Sequence, residues 1–178
     1  DSGIPQTAEG RIAIAEKIIA RAAEYGIEKR NIIVDPLALT ISTGSDNANI
    51  DLQVLSELKK RGIKTVMGVS NISFGLPARD AVNSAFFVLA MQAGLSCAII
   101  NPQSEAMMNA YYAFGALSGL DEGCKEYVAM FAGAAQAKQQ PVQTAEYTLY
   151  EAIVKGLREQ SEKAVKEQLA GKQPLDII

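Results

Sequence analysis

Asp35, Asn71 and Asn101 are the side chains whose type and spacing best suggest chemistry, because each follows a short apolar run. Carboxylate and amide groups can hydrogen-bond a polar ligand. Asp35 and Asn101 also precede prolines, where both residue types often form turns. Both interpretations stay open for Asp35, and the turn is favoured for Asn101. Asn71 is harder to explain as a turn former, since it follows an apolar strand with no helix cap nearby.

The composition limits the chemistry further. The chain has no histidine, which excludes Ser–His and Cys–His catalysis and most zinc sites. Its two cysteines, Cys97 and Cys124, provide neither a disulfide framework nor a metal-binding spacing, and no metal site is predicted. Cys97 lies in the apolar run SCAII, so we expect a buried thiol there. Catalysis must therefore use carboxylates, amides, backbone groups or a bound cofactor.

Charge and hydropathy argue against two classes of partner. The net charge is −3 and the basic residues are scattered, so no nucleic-acid partner is predicted. No run of about eighteen apolar residues could span a membrane, and no signal peptide opens the chain. These features fit a cytoplasmic protein with reduced cysteines.

Three β-branched runs predict the strands that position the polar residues. They recur at intervals of roughly 32 residues and each is followed by a helical pattern, which is typical of a parallel sheet covered by helices. The predicted strands span residues 31–34, 64–69 and 96–100. Because functional residues of (β/α) barrels lie at the C-terminal ends of the strands, the three polar positions and Arg79 should meet at one rim.

Four helices are predicted from apolar periodicity and from helix-end signals. They run from Thr7 to Gly26, from a cap at Asp51 to Gly62, from a first-turn Pro77 to Gly94, and from Ser104 onward. Apolar residues of the fourth helix are interpreted as core: Met107, Met108, Tyr111, Tyr112 and Leu117. Residues 136–146 are polar and predict a linker, and a further amphipathic helix is expected within residues 147–178.

Three strands cannot close a barrel, and a sheet this small would leave both edges unpaired. We therefore expect the sequence to be a fragment that lacks roughly the first five βα units of a (β/α)8 barrel. The alternative is a homodimer in which two copies pair their sheet edges.

Four segments resemble one known family. GVSNISFGLPAR (68–79) is similar to a motif of the pterin-binding domain of cobalamin-dependent methionine synthases and methyltetrahydrofolate:corrinoid methyltransferases. VDPLALT (34–40), DSGIP (1–5) and GLSCAIINP (94–102) resemble other strands and loops of that domain, in the same order. The resemblance implies that residues 1–135 are the C-terminal half of a TIM barrel, with its last three strands and four helices.

The end of the chain adds a second resemblance. The sequence from Tyr150 is similar to the opening of the helical cap that precedes the cobalamin-binding domain of methionine synthases. Residues 147–178 are therefore expected to be the incomplete start of a cap module. The absence of histidine implies that a histidine-ligated cobalamin must be carried by another module or by a corrinoid protein.

The family also implies roles for individual residues. Asp35 would hydrogen-bond the amino and ring N–H groups of the pterin, and Asn71 would lie beside the nitrogen that carries the methyl group. The remaining residues implied in the pocket are Gly68 and Ser70 at its floor, Arg79 near the folate, and Ile99 against the ring. The substrate would be methyltetrahydrofolate, and cob(I)alamin would be the methyl acceptor.

The expected function is thus methyl transfer from methyltetrahydrofolate to cob(I)alamin within a methionine synthase, although the fragment alone is expected to be inactive. One alternative is a free-standing methyltransferase that acts on a corrinoid/iron–sulfur protein. Another is an enzyme like dihydropteroate synthase, whose lysine- and arginine-bearing motif is not matched by SNISF (70–74). A non-catalytic interaction module is the alternative from a different class.

Overall fold

The structure is a computed structural model that describes residues 3–137, 148–154, 156 and 158–169. The chain divides into two compact units, residues 1–131 and 132–178. The predicted linker, residues 136–146, falls mostly outside the described residues. None of the described helices is both long enough and apolar enough to cross a membrane.

The first unit contains a three-stranded parallel sheet in the order β1-β2-β3. The strands are short: β1 is Ile33–Val34, β2 is Lys64–Gly68 and β3 is Cys97–Ile99. The helices of this unit are α1 (Ala8–Glu24), α2 (Asn47–Lys60), α3 (Arg79–Ala93) and α4 (Glu105–Leu117), and a fifth helix, α5 (Lys125–Ala137), begins within it. The prediction of a helix-covered parallel sheet is confirmed, and α5 is an additional helix that was not predicted.

Local signals set several helix ends as expected. The Thr7 hydroxyl accepts a hydrogen bond from the Gly10 amide at the start of α1, and Gly26 follows its end with a φ of 75°. Gly94 ends α3 with a φ of 109°, a left-handed conformation that glycine adopts without steric cost.

Two predicted helix starts are wrong. Helix α2 begins at Asn47 with Asp46 as its N-cap, so Asp51 lies inside the helix rather than at its end. Helix α3 begins at Arg79, two residues after Pro77, because Ala78 takes a left-handed conformation with a φ of 49° and cannot continue a helical turn.

The core lies on both sides of α2. One cluster joins α2 to the sheet and α3 through fully buried side chains that include Leu55, Met67 and Ile72. A second cluster joins α2 to α1 through residues such as Ile12 and Leu58. Burial of these apolar side chains fixes the strand ends relative to α1 and α2, and therefore fixes the rim that the strand ends form.

Two predictions of burial need correction. Cys97 is exposed, because β3 lies at an edge of the sheet with no further described strand beside it. In α4, Met107 is buried as expected, whereas Tyr111 and Leu117 are exposed, since only one face of this helix contacts α3. Ile33 and Ile99, on the two edge strands, are also exposed.

The second unit contains two described helices, α6 (Leu149–Val154) and α7 (Arg158–Leu169). Helical structure after residue 147 was predicted and is present. Its identity as a cap module stays a prediction.

Candidate pterin site at the C-terminal edge of the sheet

The sequence-predicted site residues meet at the C-terminal edge of the parallel sheet. Gly68 ends β2 and pairs in register with Ile99, which ends β3, while Asp35 directly follows β1. Ser70 and Asn71 lie just beyond Gly68 in a 3₁₀ turn, Val69–Ser73, which we call the Asn71 turn. The side chains of Asp35, Ser70, Asn71 and Ile99 are all exposed at this edge.

Asp35 forms a turn and still leaves part of its carboxylate available. Its Oδ1 atom accepts a 2.9 Å hydrogen bond from the Leu37 amide. Leu37 has a φ of 65°, which is uncommon for a branched residue. Uncommon backbone conformations of this kind cluster at functional sites. Within the described residues, Oδ2 has no hydrogen-bond donor. The turn interpretation is confirmed for Asp35, and it does not exclude a ligand contact.

Asn101 behaves as the turn former that the sequence favoured. Its Oδ1 atom accepts a 3.0 Å hydrogen bond from the Gln103 amide, and the Asn101 carbonyl accepts one from the Ser104 amide. Asn71 differs, because its side-chain amide makes no hydrogen bond to any residue of the described part of the chain. An exposed amide without a local partner is free to bind a ligand.

The Asn71 turn is braced by the loop that follows Asp35. The Thr40 hydroxyl lies 2.7 Å from the Phe74 carbonyl oxygen and 3.2 Å from the Ile72 carbonyl oxygen. Ser42 donates a further 2.9 Å hydrogen bond to the Phe74 carbonyl. The backbone of the turn is therefore held while the Asn71 side chain stays free.

Arg79 braces the same turn from the other side. Its Nε donates to the Ser73 hydroxyl at 2.9 Å, and its Nη2 donates to the Ser70 carbonyl at 2.8 Å. The planar guanidinium can hold both acceptors at once. Arg79 thus organises the Asn71 turn in this structure, and its contact with folate stays a prediction.

Gly68 permits a close approach by Asn71. A Cβ atom added at Gly68 would lie 3.2 Å from Asn71 Nδ2, which is tighter than an ordinary van der Waals contact. The strand end therefore leaves room for the Asn71 amide because position 68 carries no side chain.

A buried ion pair beneath the rim was missed by the sequence interpretation. Arg11 in α1 and Asp51 in α2 form a 2.6 Å contact between Nη1 and Oδ1, with side chains 4% and 0% exposed. Burial raises the pKa of Asp51 to about 6, and the Arg11 guanidinium opposes this rise only in part. The sequence signal that could have indicated this pair is a charged residue within the apolar stripe of each helix. Asp51 was instead interpreted as a helix cap.

A separate opening of the first unit lies away from this edge. It is a cavity of about 660 Å³ at the N-terminal ends of β2 and β3, lined by residues that include Lys64, Phe87, Cys97 and Tyr112. None of the predicted site residues lines it. The N-terminal face of such a sheet is associated with stability rather than catalysis.

Comparison with known proteins identifies the family. Residues 5–101 match the family described as pterin binding enzyme. The chain is 34% identical to the methylcorrinoid:tetrahydrofolate methyltransferase of Eubacterium limosum over 146 residues, which covers 80% of this chain and 52% of that protein. It is 30% identical to the methionine synthase of Mycobacterium tuberculosis, with all of this chain and 17% of that protein covered.

The chain belongs to the pterin-binding enzyme family, as its motifs predicted. The names of its relatives confirm the expectation of a methyltransferase family. The chain spans about half the length of the Eubacterium limosum relative and a smaller share of the methionine synthases.

Proposed function

We propose that this chain binds methyltetrahydrofolate at the rim of its sheet and supports transfer of the methyl group to cob(I)alamin, as part of a methionine synthase. The observation that carries the proposal is the exposed Asn71 amide, which has no hydrogen-bond partner among the described residues and lies on a turn braced by Thr40 and Arg79. The three strands would be the last three of a (β/α)8 barrel, and the helices after residue 147 would begin a cap module.

The rim offers complementary contacts to a pterin ring. The free Oδ2 atom of Asp35 can accept charge-assisted hydrogen bonds from the amino and ring N–H groups of the pterin. Ile99 is 63% exposed and offers an apolar surface for the ring face. Gly68, which pairs with Ile99 in the sheet, adds no side chain to this edge.

Asn71 would act on the leaving group. In the reaction the bond between the methyl carbon and the folate nitrogen breaks, its electron pair returns to nitrogen, and nitrogen takes up a proton from solvent. A side-chain amide hydrogen-bonded at that nitrogen stabilises the developing charge without itself titrating. Loss of one such donor typically costs on the order of 2.7–4 kcal/mol in activation free energy.

The side chains of this chain indicate which part of the reaction it could support. Cob(I)alamin would supply the electron pair for the new bond to the methyl carbon. The chain has no histidine, so it provides no imidazole to hold the cobalt, and the described residues contain no cluster of metal-ligating side chains. We therefore assign this chain the folate half of the reaction and assign the corrinoid to another module or partner protein.

A free-standing corrinoid methyltransferase is the second candidate. The Eubacterium limosum relative is named for transfer between a methylcorrinoid and tetrahydrofolate, and it aligns with 80% of this chain. The alignment with the mycobacterial methionine synthase covers the whole chain, which supports the multi-module candidate.

Equilibrium binding of methyltetrahydrofolate to the intact protein tests the proposal. Asp35→Asn keeps an acceptor for the Leu37 amide but removes the charge, so we expect affinity to fall by about tenfold or more. Asp46→Asn, at an exposed acid that bonds Asn49, is the matched control and should bind like the wild type. Failure of the wild type to bind folate would contradict the proposed function.

A further inference from the structure

The buried ion pair between Arg11 and Asp51 lies against the loop that carries Asp35. Arg11 Nη1 donates to the carbonyl oxygens of Leu37 at 2.9 Å and Pro36 at 3.3 Å, in addition to Asp51. Arg11 therefore binds the backbone carbonyl groups of both residues that directly follow Asp35.

Arg11 makes more hydrogen bonds to the backbone of the loop than to Asp51. An arginine and a carboxylate can form two parallel hydrogen bonds, yet here only one joins them. Arg11 Nη2 and Asp51 Oδ2 are buried without a hydrogen-bond partner among the described residues. A buried ion pair of this kind is weak evidence for stability, because desolvation offsets the attraction between the charges. Its contacts with backbone carbonyls suggest a positioning role.

Leu37 links the ion pair to Asp35. The Leu37 amide donates to Asp35 Oδ1, and the Leu37 carbonyl accepts from Arg11. Leu37 has a positive φ, and such a conformation persists only when its surroundings fix it. Release of the Leu37 carbonyl would allow this residue to relax and would turn the Asp35 carboxylate away from its present orientation.

Arg11 also contacts the segment that precedes α1. Its Nε donates a 3.1 Å hydrogen bond to the carbonyl oxygen of Pro5, which precedes α1. One guanidinium thus holds the segment before α1 and the segment after β1 together. A lysine could not make these contacts simultaneously, because its ammonium lacks the fixed planar fork.

We propose that Arg11 and Asp51 are positioning residues that orient Asp35 for pterin binding. This inference rests on the proposed function, in which Asp35 contacts the pterin. The two residues do not touch the ligand, and their effect passes through the Leu37 backbone. Their replacement should therefore lower folate affinity only when Asp35 is present to make its contact.

A double-mutant cycle tests this dependence. The first variant is Arg11→Met with Asp51→Leu, which replaces both charges by apolar side chains and avoids a buried unpaired ion. The second is Arg11→Lys, which keeps the charge and loses the fork. Each is combined with Asp35→Asn in the intact protein. Glu16→Gln is the matched control, because Glu16 in α1 and Arg61, directly after α2, form an exposed ion pair.

Two measurements are made on each variant: affinity for methyltetrahydrofolate, and amide hydrogen exchange of residues 37–39. We expect both charge variants to weaken binding by about tenfold and to increase exchange in this loop, with no further loss of affinity in the Asp35→Asn background. Glu16→Gln should change neither quantity.

The outcomes separate this inference from the proposed function. An equal loss of affinity with and without Asp35 would show a general structural effect and overturn the positioning role. Unchanged affinity and unchanged exchange in both charge variants would also overturn it. If the wild type does not bind folate, the proposed function fails, while hydrogen exchange still reports whether the ion pair holds the loop.

Discussion

The Thr40 hydroxyl donates a 2.7 Å hydrogen bond to the Phe74 carbonyl, which joins the loop after Asp35 to the turn that carries Asn71. The Ile41 amide adds a 3.0 Å hydrogen bond to the Ile72 carbonyl. Asp35 and Asn71 are therefore on segments that are fixed to each other as well as to their own strands. Such preorganisation lowers the reorganisation needed when a ligand binds or a charge develops.

Replacement of Gly68 by alanine should disturb Asn71 specifically. The new Cβ atom would lie 3.2 Å from Asn71 Nδ2, so the amide must shift by a few tenths of an ångström. We expect the methyl-transfer rate to fall by about tenfold, whereas folate affinity should change by about twofold or less. Stopped-flow methyl transfer and equilibrium binding measure the two quantities.

Gly115→Ala is the control for this substitution. Gly115 lies inside α4, and its added Cβ atom would have its nearest neighbour at 3.8 Å, an ordinary contact. Alanine in a helix interior should leave transfer unchanged. A Gly68→Ala protein that transfers methyl groups at the wild-type rate would show that the close approach to Asn71 has no functional role.

Arg79→Met should reduce the rate rather than the apparent affinity. Its contacts are with Ser70 and Ser73 in the Asn71 turn, so its loss should loosen the turn. We expect kcat to fall by about tenfold with KM for methyltetrahydrofolate within about twofold. Arg30→Met, at an exposed arginine paired with Glu28, should leave both parameters unchanged. A large rise in KM alone would instead indicate that Arg79 contacts the folate.

The raised pKa of Asp51 predicts a particular dependence of stability on pH. Burial raises this pKa from an ordinary value of 3.8 to about 6, so the folded protein holds the Asp51 proton more tightly than the unfolded chain. The stability contributed by this difference is full below about pH 4 and is lost as pH rises through about 6. Arg11 and Asp35 are the charged groups that act on Asp51.

Urea unfolding measures this effect. The quantity to follow is the difference in free energy of unfolding between the wild type and the Arg11→Met, Asp51→Leu protein. This difference should decrease between about pH 4 and 6 and then level off. Arginine does not titrate in this range, so the change belongs to the carboxyl group. A difference that is constant, or that increases with pH, would contradict a raised pKa.

The sequence predicted the sheet because its signals are local and strong. Residues 64–69 are a short run rich in β-branched and apolar side chains, and β2 forms there, at Lys64–Gly68. The position of Asn71 after this run was also sufficient to identify it as a site candidate. The Asp-Pro pair was ambiguous by itself, since Asp35 forms a turn and leaves one oxygen free at the same time.

Other features depended on contacts distant in sequence. Asp51 and Arg11 are forty residues apart, and no local pattern shows that they pair in the core. Cys97 occupies an apolar run typical of a buried strand, yet its exposure depends on whether another strand lies beside β3. The brace from Thr40 to Phe74 likewise depends on how two loops meet, which periodicity does not encode.

The most direct test of the account is methyl transfer by the Asn71→Ala protein. The intact protein is mixed with cob(I)alamin and methyltetrahydrofolate, and the loss of cob(I)alamin absorbance is followed in stopped flow. Asn101→Ala is the matched control, because Asn101 is also an amide after a strand but bonds its own turn. We expect rapid transfer by the wild type and the control, and a rate about a hundredfold lower for Asn71→Ala at saturating folate. Transfer by Asn71→Ala at the wild-type rate would contradict the role of Asn71, and no transfer by a folded, folate-bound wild type would contradict the methyltransferase function.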